Sequence, residues 1–241
     1  MLVNPTITAQ LSERFIFNFR MPMEALAKYL PVSWLRPQEI NGYGVASYCL
    51  LDLRHITAAP LPGVSWLRSV SSAPRYGAVD LHNGRPMPAV YLTERQTSNA
   101  FGSWFTAQGC SAPHPHAPAT ISRQDCAYKL QVERKETGFV FTSEVRPAAR
   151  LTSSLFDSTE DFGRFIAQGI TSYGESRYPD CYTKIDLHKT EGIYEPLDIL
   201  SLESPIVDQW KADGAALDSA FRTCGGKYAW TYYGLVRGCG A

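Results

Sequence analysis

The chain has 241 residues, of which 44% are hydrophobic and 19% charged, with 23 basic and 23 acidic side chains. This composition is typical of a folded globular protein, and the balanced charge argues against nucleic-acid binding driven by net charge. No apolar run reaches the roughly 20 residues that a membrane-spanning helix needs, so we expect no nucleic-acid or membrane partner. The first residues lack a basic segment followed by an apolar stretch, which predicts a cytoplasmic protein.

The six cysteines form no C-x-x-C pair, and none has zinc-site spacing to a histidine. We therefore expect free thiols, several of them buried as small apolar side chains. Cys224 and Cys239 flank a strand-like segment, and their pairing under oxidising conditions stays open as an alternative.

Residues 14–38 predict a strand, a short helix and a turn. Phe15, Phe17 and Phe19 alternate with other residues, which is the period of a strand. The segment MEALAKYL that follows predicts a helix, which must end before Pro31 because proline cannot continue it.

Strands dominate the rest of the chain, and the Asn83–Gly84 pair predicts a tight hairpin turn. The predicted strands lie between turn residues: 42–54, one or two within 60–81, 87–94, 119–124, 127–135, 138–146, two within 171–189, and 227–237. The predicted helices are 95–106, 158–169, 205–211 and 214–222. Three prolines make 110–118 a loop. The pattern indicates an α+β, mostly β fold: a curved antiparallel sheet or barrel with a few peripheral helices.

The opening module also resembles a known family. An aromatic strand, Arg20, the pattern E-A-L-x-x-x-L-P at 24–31 and L-x-P at 35–37 resemble the start of the acetoacetate decarboxylase-like superfamily. The strand residues 90–92 followed by a helix are similar to the family's segment leading to its active site. The resemblance covers roughly residues 14–188 at low identity. It implies a single domain over 1–241, with a C-terminal extension from about residue 190, and a central pocket for a small molecule.

The family's decarboxylases use two adjacent lysines, one of which forms a Schiff base with a keto acid while the other lowers its pKa. Counting on from residues 90–92 puts the corresponding turn at 108–111, which contains no lysine, and the next lysine is Lys129. The family's two pocket glutamates have no clear counterpart either. The resemblance thus implies a branch that keeps the fold and lacks the lysine pair.

Cys110 falls near the family's nucleophile, and His114 and His116 follow on the proline-rich loop. A thiolate beside an imidazole is a nucleophile pair, whereas the alternative is a buried cysteine beside solvated histidines. The two histidines could supply only two metal ligands, so we expect no metal and no other cofactor.

Arginine suits the carboxylate substrates of the family, because its guanidinium binds a carboxylate through two hydrogen bonds. Arg68 and Arg95 follow the strands that would form the pocket, and Glu94 adjoins Arg95. Arg14 and Arg20 share one face of the first strand with Ile16 and Asn18, which is either pocket or solvent. For each arginine a surface ion pair is the alternative.

Aromatic residues in the central segments would form the walls of the cavity, although core packing explains most of them. They are Trp66, Tyr76, Tyr91, Phe101, Trp104 and Phe105. We therefore predict an enzyme acting on a keto-acid or polyketide-like carbonyl compound by lyase, dehydratase or cyclase chemistry. The alternative is a non-catalytic protein that binds a carboxylate or an apolar ligand. The C-terminal aromatic strand is either a core strand or the edge of a homo-oligomer.

Overall fold

A computed structural model describes residues 6–59, 67–82, 84–109 and 112–238. The strands are β1 Thr6–Met21, β2 Leu35–Pro37, β3 Glu39–Ile40, β4 Tyr43–Ala59, β5 Leu67–Asp80, β6 Met87–Leu92, β7 Gln96–Thr97, β8 Ala119–Gln124, β9 Ala127–Arg134, β10 Phe139–Pro147, β11 Thr171–Glu175, β12 Cys181–Glu191, β13 Glu195–Glu203, β14 Ala216–Cys224 and β15 Gly226–Arg237. The helices are α1 Met23–Ala27, α2 Ala100–Gly109, α3 Thr159–Gln168 and α4 Pro205–Ala212.

All these strands belong to one curved sheet, whose main path has the order β3-β4-β5-β6-β11-β12-β15-β1-β14-β13-β10-β9-β8. β2 and β7 lie off this path, and each pairs with β5. β1 also pairs with β4, so the path from β4 through β6, β11, β12 and β15 returns to β1 as a closed circuit of hydrogen-bonded strands. Among the named strands of the described chain, only β6 and β11 pair in parallel. The predicted mostly β fold with a few helices is confirmed.

The long strand β1 separates two hydrophobic cores. Phe15, Phe17 and Phe19 point into the first core, where Phe19 meets the indole of Trp210 at a ring-centroid distance of 5.1 Å. Ile16 points the other way into the second core. The alternation predicted for this strand is present because each face of β1 is covered, which excludes water from both rows of side chains.

Helix α3 covers the second core and agrees with the helix predicted over 158–169. Ser158 caps it, since its hydroxyl accepts a hydrogen bond from the backbone N–H of Asp161 at 3.0 Å. The ring of Phe162 is fully buried and stacks on Phe221 of β14 at 3.8 Å between centroids. The helix is thus fixed at one end by its cap and along its length by aromatic packing.

Two predicted helices need correction. Residues 214–222 are not helical, because Ala216–Cys224 pairs with β1 and β13 on both sides as strand β14. The helix predicted over 95–106 begins only at Ala100, since Gln96 and Thr97 pair with β5 as β7. The sequence also missed β13, which pairs with β10 and β14, so the chain beyond residue 190 lies in the same sheet as the rest.

The turn predicted at Asn83–Gly84 lies partly outside the described residues, and the start of the predicted segment 60–81, residues 60–66, lies wholly outside them. Gly84 has φ +72, as a hairpin turn of this type requires. No helix in the described ranges is long and apolar enough to cross a membrane.

Phe162→Ala is expected to lower the free energy of unfolding by about 3–5 kcal/mol, because it leaves a cavity against Phe221. Phe101→Ala is the matched control on α2, where the side chain is 51% exposed, and should change it by no more than about 0.5 kcal/mol. Urea denaturation followed by circular dichroism measures both. Equal effects would contradict the assignment of α3 to the second core.

Candidate active site

A cavity of about 220 Å³ opens where the ends of β6 and β11 meet the loop that follows α2. Its described lining comprises three chain segments and one residue of β9: Leu92, Thr93, Glu94, Arg95, Ala112, Pro113, His114, Pro115, Gly174, Glu175, Ser176, Arg177 and Arg134. Three residues singled out from the sequence, Glu94, Arg95 and His114, therefore share one cavity. No lysine is among these lining residues of the described chain.

The guanidinium of Arg95 lies across the backbone of Gly174. A Cβ at that glycine would come within 3.3 Å of Arg95 Nη1, so the missing side chain makes room for the guanidinium. Nη2 donates a hydrogen bond to Ser172 Oγ at 3.1 Å, and no carboxylate of the described chain forms an ion pair with Arg95. Burial, and to a lesser degree the charge of Arg75, lower the pKa of Arg95 to about 10. Arg95 stays positively charged at neutral pH and has no anionic partner among the described residues.

Glu94 is held by a polar chain that runs into the sheet. Arg134 Nη1 donates to Glu94 Oε1 at 2.5 Å, and Gln96 Nε2 donates to the same oxygen at 3.2 Å. Ser72 Oγ in turn donates to Gln96 Oε1 at 2.9 Å. The carboxylate is therefore fixed in position by charge-assisted and neutral hydrogen bonds.

The imidazole of His114 is uncharged at neutral pH. Burial, reinforced by the nearby charge of Arg95, lowers the pKa of His114 to about 3. Its backbone N–H donates to Thr106 Oγ1 of α2 at 3.0 Å, which fixes the loop against the helix. A neutral imidazole can donate one hydrogen bond and accept another, depending on its tautomer.

The remaining predicted polar residues lie elsewhere. Arg68 makes a bidentate ion pair with Asp52, at 3.0 and 2.9 Å, and its side chain is 60% exposed. Arg20 donates to Ser154, and His116 Nε2 lies 3.2 Å from the carbonyl oxygen of Ser98. None of the three is among the described lining residues of the cavity.

The predicted aromatic wall is divided between the core and the surface. Tyr76 and Tyr91 are buried in the first core, whereas Phe101 and Trp104 are exposed on α2. Cys110 and Trp66 lie outside the described residues, so their predicted roles stay predictions.

Arg14 is fully buried in a second charged cluster, which the sequence did not reveal as a whole. Its Nη1 donates to Glu191 Oε1 at 2.6 Å, and its Nε donates to the sulfur of Cys49 at 3.3 Å. Lys189 Nζ lies 2.7 Å from Glu191 Oε2, and the hydroxyls of Tyr194 and Tyr228 also donate to this carboxylate. Sequence separations of up to 214 residues explain why no local pattern predicts the cluster.

Each charge in this cluster depends on the others. Burial alone would raise the pKa of Glu191, but Arg14 and Lys189 hold it well below its usual range. Burial, with the charge of Arg14, lowers the pKa of Lys189 to about 7, although Glu191 opposes this shift. Lys189 is therefore a buried amine with little preference for its charged form at neutral pH.

Comparisons with known proteins bear on the fold. No protein-family model matches the chain, and no curated protein is significantly similar. An acetoacetate decarboxylase from Legionella pneumophila superposes with a TM-score of 0.69 at 12% identity, over 97% of this chain and 88% of that one. An acetoacetate decarboxylase-like enzyme from Sphingomonas wittichii gives 0.65 at 10% identity, over 97% and 94% of the two chains. The enduracididine biosynthesis enzyme MppR, complexed with pyruvate, gives 0.57 at 12% identity, over 100% and 92%.

The chain therefore has the acetoacetate decarboxylase-like fold, as its opening module predicted. At identities of 10–12% these comparisons show the fold alone, and activity has to be argued from the site.

Glu191→Gln is expected to cost about 3–5 kcal/mol of unfolding free energy at pH 7, because it leaves Arg14 and Lys189 buried without an anion. Glu136→Gln is the control, since the Glu136 side chain is 70% exposed, and should change stability by no more than about 0.5 kcal/mol. Urea denaturation measures both variants. A Glu191 variant as stable as the control would show that the cluster does not hold its charges together.

His114 should contribute a pH dependence of stability. Because its pKa is lower in the folded protein than its ordinary value of 6.5, the unfolded chain binds more protons between about pH 6.5 and 3. Its contribution therefore falls as the pH is lowered through this window. His114→Gln should flatten the fall in stability from pH 7 to 4, by less than about 1.4 kcal/mol per pH unit because the residue is partly exposed.

Urea denaturation at a series of pH values measures this slope, with His116→Gln as the control histidine. If both variants kept the slope of the unaltered protein, the buried, uncharged state of His114 would be refuted.

Proposed function

We propose that the protein is an enzyme acting on a keto-acid or polyketide-like carbonyl compound in the 220 Å³ cavity, by lyase, dehydratase or cyclase chemistry without a Schiff-base lysine. One observation carries the proposal. Arg95 presents a guanidinium without a carboxylate partner beside the neutral imidazole of His114, in a cavity that also holds a fixed carboxylate, Glu94. Such a cavity offers a cation for an anionic group and polar groups for a carbonyl.

Each residue then has a distinct role. Arg95 binds the substrate carboxylate through its guanidinium. The N–H of the uncharged His114 donates to the carbonyl oxygen and stabilises the negative charge that develops there. Glu94 accepts a proton from the carbon beside the carbonyl, which leaves an enolate. In a dehydration the enolate expels the hydroxyl of the next carbon, which takes that proton and leaves as water. In a cyclisation the enolate carbon bonds to a second carbonyl of the substrate, and the alkoxide formed there takes the proton.

The structural neighbours support this substrate class. MppR shares the fold, and its structures are described with pyruvate and with the condensation product of pyruvate and imidazole 4-carboxaldehyde. The fold thus accommodates carbonyl chemistry on a keto acid in at least one relative. A cytoplasmic location and self-association stay predictions.

A non-catalytic binding protein is the second candidate, and the hydrogen bonds of Glu94 favour it. The same oxygen of Glu94 receives hydrogen bonds from both Arg134 and Gln96, which occupy both of its lone pairs and leave none for a substrate proton. In that case Arg95 would bind a carboxylate, and no proton transfer would follow.

The test is a panel of 2-keto and 3-keto acids, with consumption followed by NMR and binding by calorimetry. Arg95→Ala should weaken binding about ten- to hundredfold, whereas Glu94→Gln should keep binding and lower the turnover rate by about a hundredfold or more. Arg164→Ala, on the exposed face of α3, is the control and should behave as the unaltered protein.

Two further outcomes separate the alternatives. If keto acids of the panel bind to the protein but none is consumed, the non-catalytic candidate is established. Borohydride reduction should leave the protein mass unchanged, and an adduct on Lys189, Lys129 or any other lysine would refute chemistry without a Schiff base.

A further inference from the structure

A second arginine lies beside Arg95 without an anionic partner. Arg75 of β5 stands opposite Ser47 of β4 and is only partly exposed. Its Nε is buried with no hydrogen-bond partner among the described residues, and none of their carboxylates pairs with its guanidinium. Leaving a buried charged donor unsatisfied is costly, so a group absent from the polypeptide is expected to satisfy it.

The position of Arg75 links the cavity to the buried cluster. β5 pairs with β6 through Tyr76 and Tyr91 and with β7 through Ser72 and Gln96, so Arg75 stands next to the short segment between β6 and β7 that carries Arg95. The charge of Arg75 lowers the pKa of both Arg95 and Lys189, which agrees with this position. The other cations of this region are engaged by the protein itself. Glu191 pairs with Arg14 and Lys189, and Glu94 pairs with Arg134. Arg177 donates to the backbone carbonyls of Thr106 and Ala107.

Arg75 and Arg95 thus remain as two like charges without compensation. Neighbouring like charges in a partly desolvated site repel each other, and an anion between them would turn this repulsion into attraction.

We propose that Arg75 and Arg95 together bind a doubly charged oxyanion group, a phosphate or a dicarboxylate. Each guanidinium can engage two oxygens, so two of them match a group with three or four oxygens and two negative charges. A single carboxylate would accept the paired hydrogen bonds of only one guanidinium and would neutralise only one of the two positive charges. Gly174 leaves the Arg95 guanidinium uncovered on this side, and Ser172 fixes its orientation.

This inference rests on the proposed function only in that Arg95 lines the same cavity, since anion binding is measured without turnover. It narrows the ligand to a compound that carries a second negative charge besides that of a simple keto acid.

The stability of the unliganded protein gives the first test. Arg75→Met should leave the melting temperature unchanged or raise it, because it removes an unpaired, partly buried charge while keeping an apolar stem of similar length. A clear fall in melting temperature would show that Arg75 is held by the protein itself and would overturn the proposal. Arg75→Gln is the second variant if the methionine variant does not fold.

Binding of defined anions gives the second test. Inorganic phosphate and malonate are titrated into the protein by calorimetry, with acetate as the singly charged comparison and sodium chloride at equal ionic strength as the blank. We expect at least one dianion to bind at one site per chain, about tenfold or more tighter than acetate. Arg75→Met and Arg95→Met should each weaken it about ten- to hundredfold, and Arg164→Ala should not change it.

The affinity for phosphate relative to that for malonate indicates which chemical group the natural ligand carries. Tighter phosphate indicates a phosphorylated ligand, and tighter malonate indicates a dicarboxylate; both support the site. The proposal fails if neither dianion binds beyond the chloride blank, or if Arg75→Met binds them as the unaltered protein does. If the protein consumes keto acids but binds no dianion, this inference is refuted and the proposed function stands. If it binds a dianion but consumes no keto acid, the anion site stands and the proposed enzymatic function is refuted.

Discussion

The carboxylate of Glu191 ties together parts of the chain that are far apart in sequence. It lies at the end of β12 and receives hydrogen bonds from Arg14 on β1, Lys189 on its own strand and Tyr228 on β15. β12, β15 and β1 are consecutive strands in the closed circuit. The buried carboxylate of Glu191 therefore links three neighbouring strands through side-chain hydrogen bonds. Without it, the interior would hold the buried guanidinium of Arg14 with no anion to offset its desolvation.

The pairing of acids also bears on the charge of the cavity, whose described lining holds three arginines and two glutamates. Glu191 is fully engaged by Arg14 and Lys189, and Glu94 by Arg134 and Gln96. Neither acid is left for the arginines of β5 and of the segment after β6. Glu175, the other acid of the described lining, accepts a hydrogen bond from the hydroxyl of Tyr91. The excess of arginines over acids agrees with the acidic ligand proposed above.

Local patterns predicted the elements whose signals are local. The sequence predicted β1 from its alternating phenylalanines and α3 from its cap and amphipathic pattern. Both signals arise within a few neighbouring residues. The segment that became β14 was misassigned, since its strand pairing with β1 joins residues about 200 positions apart. Chain position singled out Glu94, Arg95 and His114, which share one cavity. Arg75, Arg134 and Glu191 carry no local signal, because their surroundings depend on the folded sheet.

The parallel pairing of β6 with β11 has a consequence for how this site can diversify. Parallel strands end at the same edge of a sheet, so the segments that leave β6 and β11 emerge side by side and supply most of the cavity's polar lining. Both segments lie beyond the last paired residues, Leu92 and Gly174, so insertions or deletions there leave the strand register intact. Ligand preference in this fold can therefore drift by changes in loop length alone, while the buried ion cluster and both cores are inherited unaltered.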